Sequence, residues 1–220
     1  QMCIRDRYKA NRPETPEAIR IAVPYIKNLL KAMQIPVIEK EGYEADDIIG
    51  TLAKQAEKKG FEVYMMTPDK DFAQLVSPNI FMYRPSRQGN GIEIWGVDEV
   101  KEKFEVDHPE QVIDYLGMMG DSVDNIPGLP GVGDKTAKKF LAQYGSMENL
   151  LANTNELKGK LKEKIEENKA LGVISKKLAR ILLDVPVSFN EKSYELSKPN
   201  TEEVQEIFRE LEFRLSLIHI

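Results

Sequence analysis

The chain has little of several residue types, and each shortage excludes a class of protein. Its 220 residues include one cysteine and two histidines. A single cysteine excludes an internal disulfide framework and a multi-cysteine zinc site, and it suits a reducing cytoplasm. Two histidines argue against a histidine-based metal site and against Ser-His-Asp catalysis. No run approaches the roughly 18–20 apolar residues of a membrane-spanning helix, so we expect no membrane partner.

The chain also has fewer basic than acidic residues, so its net charge is -5. That sign argues against a nucleic-acid ligand, but the basic residues are unevenly distributed. Between residues 158 and 180, eight lysines and arginines stand against three glutamates. A local basic stripe matters more for binding phosphates than the total charge does. The composition therefore leaves a nucleic-acid ligand open.

Acidic residues are abundant, and seven of them fall in three short clusters. The clusters are Glu44, Asp46 and Asp47, then Asp69 and Asp71, then Asp121 and Asp124. Mg²⁺ and Mn²⁺ prefer oxygen ligands, and so many acids in one place would repel each other without cations. We interpret the clusters as a site for two or more such ions that serves phosphodiester chemistry. Taken singly, each cluster has a structural alternative as helix-dipole partners, an N-cap or turn residues.

The hydrophobic periodicity predicts alternating helices and strands in the first half of the chain. Helices are predicted after Thr15-Pro16, over 45–59 and from Asp71 to Val76, with strands at 35–38, 61–67, 80–83 and 92–95. This alternation predicts an open α/β sheet, in which the apolar strand 61–67 is buried on both faces. Ligands of such sheets bind beyond the carboxyl ends of the strands, where the first two acidic clusters fall. From residue 97 onward only helices are predicted.

Both ends of the chain look foreign to this pattern. Residues 1–7 lack periodicity and residues 215–220 form an abrupt apolar tail, so we expect both to be non-native. Between them we expect a partial α/β domain at 8–107 and a helical domain at 108–214. Because no first strand precedes residue 8, the chain is expected to begin within the first domain.

Residues 126–140, with the sequence IPGLPGVGDKTAKKF, combine glycines with lysines. The glycines allow a tight hairpin with outward backbone N–H groups, and the lysines follow at the start of a helix. The candidate binding residues are Gly128, Gly131, Gly133, Lys135, Thr136, Lys138 and Lys139. Such a hairpin binds phosphates without reading sequence, and its carbonyls can also hold a monovalent cation. The Walker spacing is absent, and a glycine-rich helix connector is the structural alternative.

In this order and spacing, the motifs GYEADD, TPDKD, GDSVDNIPG and GVGDKTA resemble the flap endonuclease family, specifically the 5′-3′ exonuclease domain of bacterial DNA polymerase I. The resemblance runs from about residue 8 to residue 214. It implies a PIN-like, Rossmann-like domain followed by a helix-three-turn-helix DNA-binding module. It also implies Mg²⁺-dependent hydrolysis at 5′ ends, nicks and flaps of DNA and on RNA-primed DNA, in primer removal and repair. We expect a monomer in the bacterial cytoplasm, with polymerase domains in the same full-length chain.

The resemblance also assigns roles to residues. The three acidic clusters match the family's metal ligands. The segment YKANR supplies Tyr8, Lys9 and Arg12, and there the lysine and arginine face the scissile phosphate. Gly131, Gly133, Lys135 and Thr136 fall in the module that grips duplex DNA and binds K⁺.

The sequence departs from the family pattern at its start. Two strands that each carry an aspartate ligand have no counterpart before Tyr8, so we expect this piece to be weakly active or inactive. Two alternatives stay open from the sequence. The chain could belong to a stand-alone 5′-3′ exonuclease, or it could be a catalytically dead DNA-binding fragment that keeps only the phosphate-binding hairpin.

Overall fold

A computed structural model describes residues 8–10, 13–86 and 91–213, which fall into two compact units. The first unit contains residues 8–10, 43–86 and 91–187, and the second contains residues 13–42 and 188–213. None of the helices described within these ranges is long and apolar enough to cross a membrane. The predicted tails at 1–7 and 215–220 lie outside the described residues.

The described helices and strands follow in chain order. The α-helices are α1 Glu17–Ala32, α2 Ala45–Lys58, α3 Val97–Phe104, α4 Val112–Met119, α5 Asp134–Tyr144, α6 Met147–Ala152, α7 Gly159–Glu167, α8 Lys169–Ala179 and α9 Thr201–Glu210. The strands are β1 Val63–Met66, β2 Ile80–Pro85 and β3 Ile92–Trp95, and a 3₁₀ turn at Lys70–Leu75 follows β1. The α/β sheet followed by helices matches the predicted fold class.

The sheet has the order β1-β2-β3, with β1 parallel to β2 and β3 antiparallel to it. Only one face of β1 is covered, because Met65 is buried whereas Tyr64 and Met66 are 48% and 78% exposed. The prediction that this strand is buried on both faces is therefore wrong for the described chain. A continuous apolar run shows that a strand is apolar but does not show which face is covered.

The predicted strand at 35–38 is also wrong, since these residues form no strand. Pro36 lacks the backbone N–H that a strand ladder needs, and Ile35 and Val37 are exposed. This segment belongs to the second unit, where α1 and α9 pack together. There the backbone N–H of Asn200, the N-cap of α9, donates to the carbonyl of Ala32 at 2.8 Å.

One continuous core runs through the first unit. It extends from Met65 and Phe72 beside the sheet to Phe140, Leu150 and Ile165 among the later helices. The helices after residue 107 therefore share a core with the sheet. Burial of this connected apolar surface is the main force that holds the unit together.

Helix α4 lies at the centre of the helical part and packs directly on α8. A β-carbon placed on Gly117 of α4 would lie 2.6 Å from the α-carbon of Lys176 in α8. At the same junction the Lys176 ammonium pairs with Asp114 at 2.5 Å and with Glu148 at 2.6 Å. Glycine is needed here because the two backbones approach too closely for a side chain.

Gly117→Ala should destabilise the first unit by at least about 2 kcal/mol, because the added methyl group forces two packed helices apart. Urea denaturation followed by circular dichroism measures this change. Gly133→Ala is the control, because a β-carbon there meets nothing within 4 Å. The control should cost less than about 1 kcal/mol. Equal stability of Gly117→Ala and wild type would contradict the close α4–α8 packing.

Candidate functional site

The acidic clusters meet at one small cavity of about 40 Å³ in the first unit. Its acidic lining residues are Glu44, Asp46, Asp47, Asp69, Asp71 and Asp124. The first cluster lies at the N-terminus of α2, the second follows β1, and the third follows α4. The end of β1 and the start of α2 thus form the kind of crevice that binds ligands in open α/β sheets. A cavity of this size has room for ions or a few water molecules but not for a nucleotide.

Asp71 is the acid of the cavity whose negative charge is most clearly left uncompensated by the described residues. Its Oδ1 atom is buried and has no hydrogen-bond partner among the described residues. Burial, reinforced by the charges of Asp69, Asp121 and Asp124, raises the pKa of Asp71 to about 7. A buried carboxylate without partners is costly, so the site favours either a proton or a cation at Asp71.

Asp46 shows the same tendency more weakly. Burial, together with the charges of Asp69 and Glu44, raises its pKa, while Lys9 acts in the opposite direction. Two carboxyls from different segments therefore hold their protons more tightly because of their shared surroundings. Asp121 does not line the cavity, but its charge contributes to the raised pKa of Asp71.

Asp47 has a different environment, since both of its oxygens accept backbone hydrogen bonds. Oδ1 accepts from the N–H of Leu182 at 2.8 Å, and Oδ2 accepts from the N–H of Glu44 at 3.3 Å. The second bond belongs to the capping box that begins α2. Asp47 is 5% exposed, so its carboxylate lies in the interior of the first unit. Its partners are backbone groups, and it is the predicted ligand with the least free lone-pair capacity.

Structural roles also occupy one oxygen each of Asp69 and Asp121. Asp69 Oδ1 accepts from the N–H of Asp71 at 3.0 Å and caps the 3₁₀ turn. Asp121 Oδ1 accepts from the N–H of Val123 at 2.8 Å, and its Oδ2 lies 3.8 Å from the ammonium of Lys70. The capping and turn roles considered as alternatives are therefore real for these two acids.

Within the described ranges, no group of three or more His, Cys, Asp or Glu side chains is arranged to hold a metal ion. The acids surround the cavity without converging on one point. The donor set nevertheless fits a hard cation, because it consists of carboxylate oxygens. The unpartnered oxygen of Asp71 and the raised pKa values of Asp46 and Asp71 also indicate an uncompensated negative charge, which a divalent cation would neutralise.

Basic groups also reach this cavity. Lys9 forms an ion pair with Glu44, and its backbone N–H donates to the carbonyl of Asp124 at 3.0 Å. Tyr8 lines the cavity, and the Lys9 ammonium lies 5.1 Å from the centre of its ring.

Arg12, predicted to accompany Lys9, lies outside the described residues. Arg180, which sequence reasoning did not single out, is exposed and lines the cavity, and its only sequence signal was the basic run 158–180.

The glycine hairpin differs in part from the prediction. The N–H of Gly128 donates to the buried hydroxyl of Ser175 at 3.0 Å, so it faces the interior. The expectation of an outward N–H group is therefore wrong for Gly128. A β-carbon at Gly128 would lie 2.7 Å from the nitrogen of Gly120, and its φ of 66° also favours glycine. Gly128 is needed for close backbone packing at the base of the hairpin.

The tip of the hairpin and the start of α5 are exposed. Gly131, Gly133, Lys135 and Lys139 all face solvent, and Thr136 is half-buried. Sequence reasoning missed Lys164, an exposed residue of α7 beside this tip. A β-carbon placed on Gly131 would lie 4.0 Å from the ammonium nitrogen of Lys164. The hairpin and α7 therefore present backbone and lysine groups on one surface.

Lys138 differs from its neighbours because it is held by carboxylates. Its ammonium lies 3.3 Å from Glu105 and 3.5 Å from Asp134, and its side chain is 17% exposed. A hydrogen bond from Tyr115 lowers the pKa of Asp134, and Lys138 lowers it further. Lys138 would have to break these ion pairs before it could bind a phosphate.

A larger cleft of about 500 Å³ lies in the second unit. Its walls come from the end of α1, from residues 34–39 and from residues 192–197. Lys27 and Glu39 form an ion pair across it at 2.6 Å. None of the predicted site residues lines this cleft, so its size does not make it the candidate site.

Two family models match most of the chain. The model described as 5'-3' exonuclease, N-terminal resolvase-like domain, matches residues 3–105. The model described as 5'-3' exonuclease, C-terminal SAM fold, matches residues 107–202. These matches include all seven predicted acids and the whole glycine hairpin.

Relatives and solved structures agree with the family models. DNA polymerase I of Bacillus subtilis is 46% identical over 211 residues, which cover 96% of this chain and 24% of that protein. A 5'-3' exonuclease of Aquifex aeolicus is 37% identical, with 94% and 69% covered. The chain thus spans about a quarter of the polymerase relatives. A bacteriophage T5 flap endonuclease in complex with DNA and metal ions has the same fold, with a TM-score of 0.70, 19% identity, and 94% and 78% covered.

The raised pKa of Asp71 predicts a specific dependence of stability on pH without divalent cations. Below about pH 4 the carboxyl is protonated in both folded and unfolded chains, so it has no effect. As pH rises from 4 to 7 the unfolded chain loses the proton first, so the free energy of unfolding falls by up to about 4 kcal/mol. Asp71→Asn should remove this fall, and urea titrations from pH 4.5 to 8 in chelator measure it.

Asp184→Asn, which changes an exposed aspartate outside the cavity, is the control and should reproduce the wild-type pH curve. At pH 8 in chelator, Asp71→Asn should be more stable than both wild type and control. If Asp71→Asn were less stable than wild type at pH 8, Asp71 could not be an uncompensated buried acid.

Proposed function

The chain belongs to the 5′-3′ exonuclease family, and we propose that it hydrolyses phosphodiester bonds at 5′ ends, nicks and flaps of DNA with divalent cations held at the acid cavity. The observation that supports this proposal most is that acids of all three clusters line one cavity, together with Asp71, whose buried oxygen has no partner among the described residues. Mg²⁺ or Mn²⁺ is the proposed cofactor because hard cations take carboxylate ligands. Two ions suit the number of acids and the phosphodiester reaction.

The proposed ligands are the carboxylates that line or approach the cavity, with Asp46 and Asp71 at its centre. When bound, divalent cations lower the pKa of water and stabilise negative charge on a phosphate. A cation in the cavity would favour the charged forms of Asp46 and Asp71, because it would offset the surrounding negative charge. Lys9, which already reaches Glu44, supplies a positive charge for non-bridging phosphate oxygens. Asp47 keeps the start of α2 in place through its two backbone hydrogen bonds.

We propose that the hairpin surface binds the phosphates of duplex DNA. The exposed Gly131, Gly133 and Lys135 lie at the N-terminus of α5, where the helix dipole favours anions. Lys139 and Lys164 add charge to the same surface. Hairpin carbonyls that face outward are the proposed ligands of K⁺. The contact is with backbone phosphates, so it should not depend on base sequence.

The similarity to DNA polymerase I supports a place for this chain in such a polymerase, with primer removal and repair as its roles. We further propose a monomer in the bacterial cytoplasm. A stand-alone 5′-3′ exonuclease is the second candidate. It is favoured by the Aquifex aeolicus protein, of which this chain covers 69%.

Asp69→Ala in the full-length protein should lower cleavage of a labelled 5′-flap DNA by at least about 100-fold in Mg²⁺, because one carboxylate of the cation site is lost. Calorimetric titration with Mn²⁺ should show weaker binding, whereas DNA binding in chelator should be unchanged. Asp98→Ala, an exposed acid in the first turn of α3, should retain wild-type cleavage and Mn²⁺ affinity. Full cleavage by Asp69→Ala would remove Asp69 from the cation site.

Lys135→Ala should weaken binding to all DNA sequences equally and lower the slope of log K against log salt by about one, because one phosphate contact is lost. Fluorescence anisotropy at several salt concentrations in chelator measures the slope. Lys138→Ala should change the slope less, since Lys138 is already paired with Glu105 and Asp134. A larger change for Lys138→Ala than for Lys135→Ala would contradict the assigned binding surface.

A further inference from the structure

One helix connects the two proposed binding surfaces of the first unit. Ser175 of α8 accepts a hydrogen bond from Gly128 at the base of the hairpin. Four residues later α8 ends at Ala179, and Ala179, Arg180 and Ile181 line the acid cavity. The hairpin is thus joined to the cavity in two ways, directly along the chain from Asp124 and Ile126, which also line the cavity, and through the end of α8. The way in which the end of α8 is held therefore contributes to the spacing between hairpin and cavity.

Gln74 holds this end with its whole side-chain amide. Its Nε2 donates to the carbonyls of Asp71 and Ala179, each at 3.0 Å, and its Oε1 accepts from the N–H of Ile181 at 3.0 Å. Gln74 is 4% exposed, so these bonds form away from water. One buried side chain thus joins the backbone of an acid at the cavity to the backbone on both sides of Arg180.

Helix α2 holds the following residues in the same way. Asp47, Thr51 and Gln55 are spaced four residues apart and therefore lie on one face of α2. The N–H of Leu182 donates to Asp47 at 2.8 Å, and the N–H of Val185 donates to Thr51 at 3.3 Å. The Thr51 hydroxyl donates to the carbonyl of Leu182 at 3.4 Å, and Gln55 donates to the carbonyl of Val187 at 2.9 Å.

Residues 180–187 form no helix or strand, so their backbone groups need other partners. Side chains of α2 and of the 3₁₀ turn supply those partners. Apolar packing alone is non-directional and would tolerate sliding, whereas a hydrogen bond fixes both distance and angle. Loss of one such buried bond therefore changes the position of the segment as well as the stability of the fold.

We propose that Gln74, supported by Thr51 and Asp47, is a positioning residue that fixes the spacing between the DNA-binding hairpin and the acid cavity, and thereby selects which phosphodiester bond is cut. This inference rests on the proposed nuclease function. The hairpin holds the duplex at one point and the acids act at another, so a rigid connection gives one cleavage position. A loosened connection spreads cleavage over neighbouring bonds without abolishing it.

The test uses the full-length protein and a labelled 5′-flap DNA whose products are resolved to single nucleotides. Gln74→Leu removes all three hydrogen bonds and keeps an apolar side chain in the core. The ratio of displaced products to the main product should rise at least about tenfold, because each of the three lost hydrogen bonds helps to fix the segment. This ratio does not depend on the fraction of active enzyme. Thr51→Val, which keeps the shape of the side chain, should shift the ratio in the same direction by a smaller factor.

Gln111→Leu is the matched control, since Gln111 clamps backbone groups outside the cavity. It donates to the carbonyl of Gly145 at 2.7 Å and accepts from the N–H groups of Asp107 and His108 at 2.8 and 2.9 Å. Its loss should lower stability but leave the product ratio unchanged. In chelator, hydrogen exchange at the amide of Ile181 should accelerate in Gln74→Leu and not in the control, while affinity for duplex DNA stays at the wild-type level.

The outcomes separate the two proposals. Absence of cleavage by wild type in Mg²⁺ would overturn the proposed function itself. Cleavage by wild type, with an unchanged product ratio in Gln74→Leu, would overturn the positioning role and leave the nuclease function intact. If circular dichroism shows that Gln74→Leu is unfolded, Thr51→Val decides, and an unchanged ratio in that variant overturns the inference.

Discussion

Crowding of negative charge at one small cavity is the constraint on which the first unit depends. Folding brings Asp46, Asp69 and Asp71 to one small cavity, where the charge of Asp69 makes the charged forms of Asp46 and Asp71 less favourable. Replacing one of these acids by its amide would relieve the repulsion. A protein with no use for the negative charge would therefore be more stable with the amide. Under the proposed function, cations in the cavity would make the arrangement favourable, because they would neutralise these charges. The raised pKa of Asp71 reflects this crowding, which the proposed cations would relieve.

The surroundings of the cavity divide between residues that meet the ligand and residues that hold the backbone. Asp71 and Asp46 have oxygens available for a cation, whereas Asp47 uses both oxygens on backbone N–H groups. All side-chain polar atoms of Gln74 and Thr51 are likewise hydrogen-bonded to backbone groups. Side chains therefore fix several backbone groups of the irregular segment after α8. Under the proposed function the protein holds DNA at two points, and these hydrogen bonds would keep the two points at a constant distance.

The spacing of residues close in sequence correctly predicted the parts of the fold that depend on short-range contacts along the chain. The i, i+3, i+4 spacing of apolar residues located α2, and the acids after β1 were expected at the edge of the sheet, where they lie. The prediction of a strand at 35–38 failed because a four-residue apolar run that includes Pro36 is too short a signal.

Contacts distant in sequence were not predictable. Gln74 meets residues more than 100 positions away, and Lys138 is paired with Glu105, which no motif relates to it. Whether each predicted acid is a ligand stays a prediction, as does the division of the chain near residue 107.

Diffraction from Mn²⁺-soaked crystals of the protein, with anomalous scattering recorded at the manganese edge, tests the central claim most directly. The claim predicts anomalous peaks inside the cavity, bonded to oxygens of Asp71 and of at least one acid from the start of α2. Peaks confined to the outer surface, with Asp71 still unpartnered at neutral pH, would show that the acids meet for a reason other than binding cations.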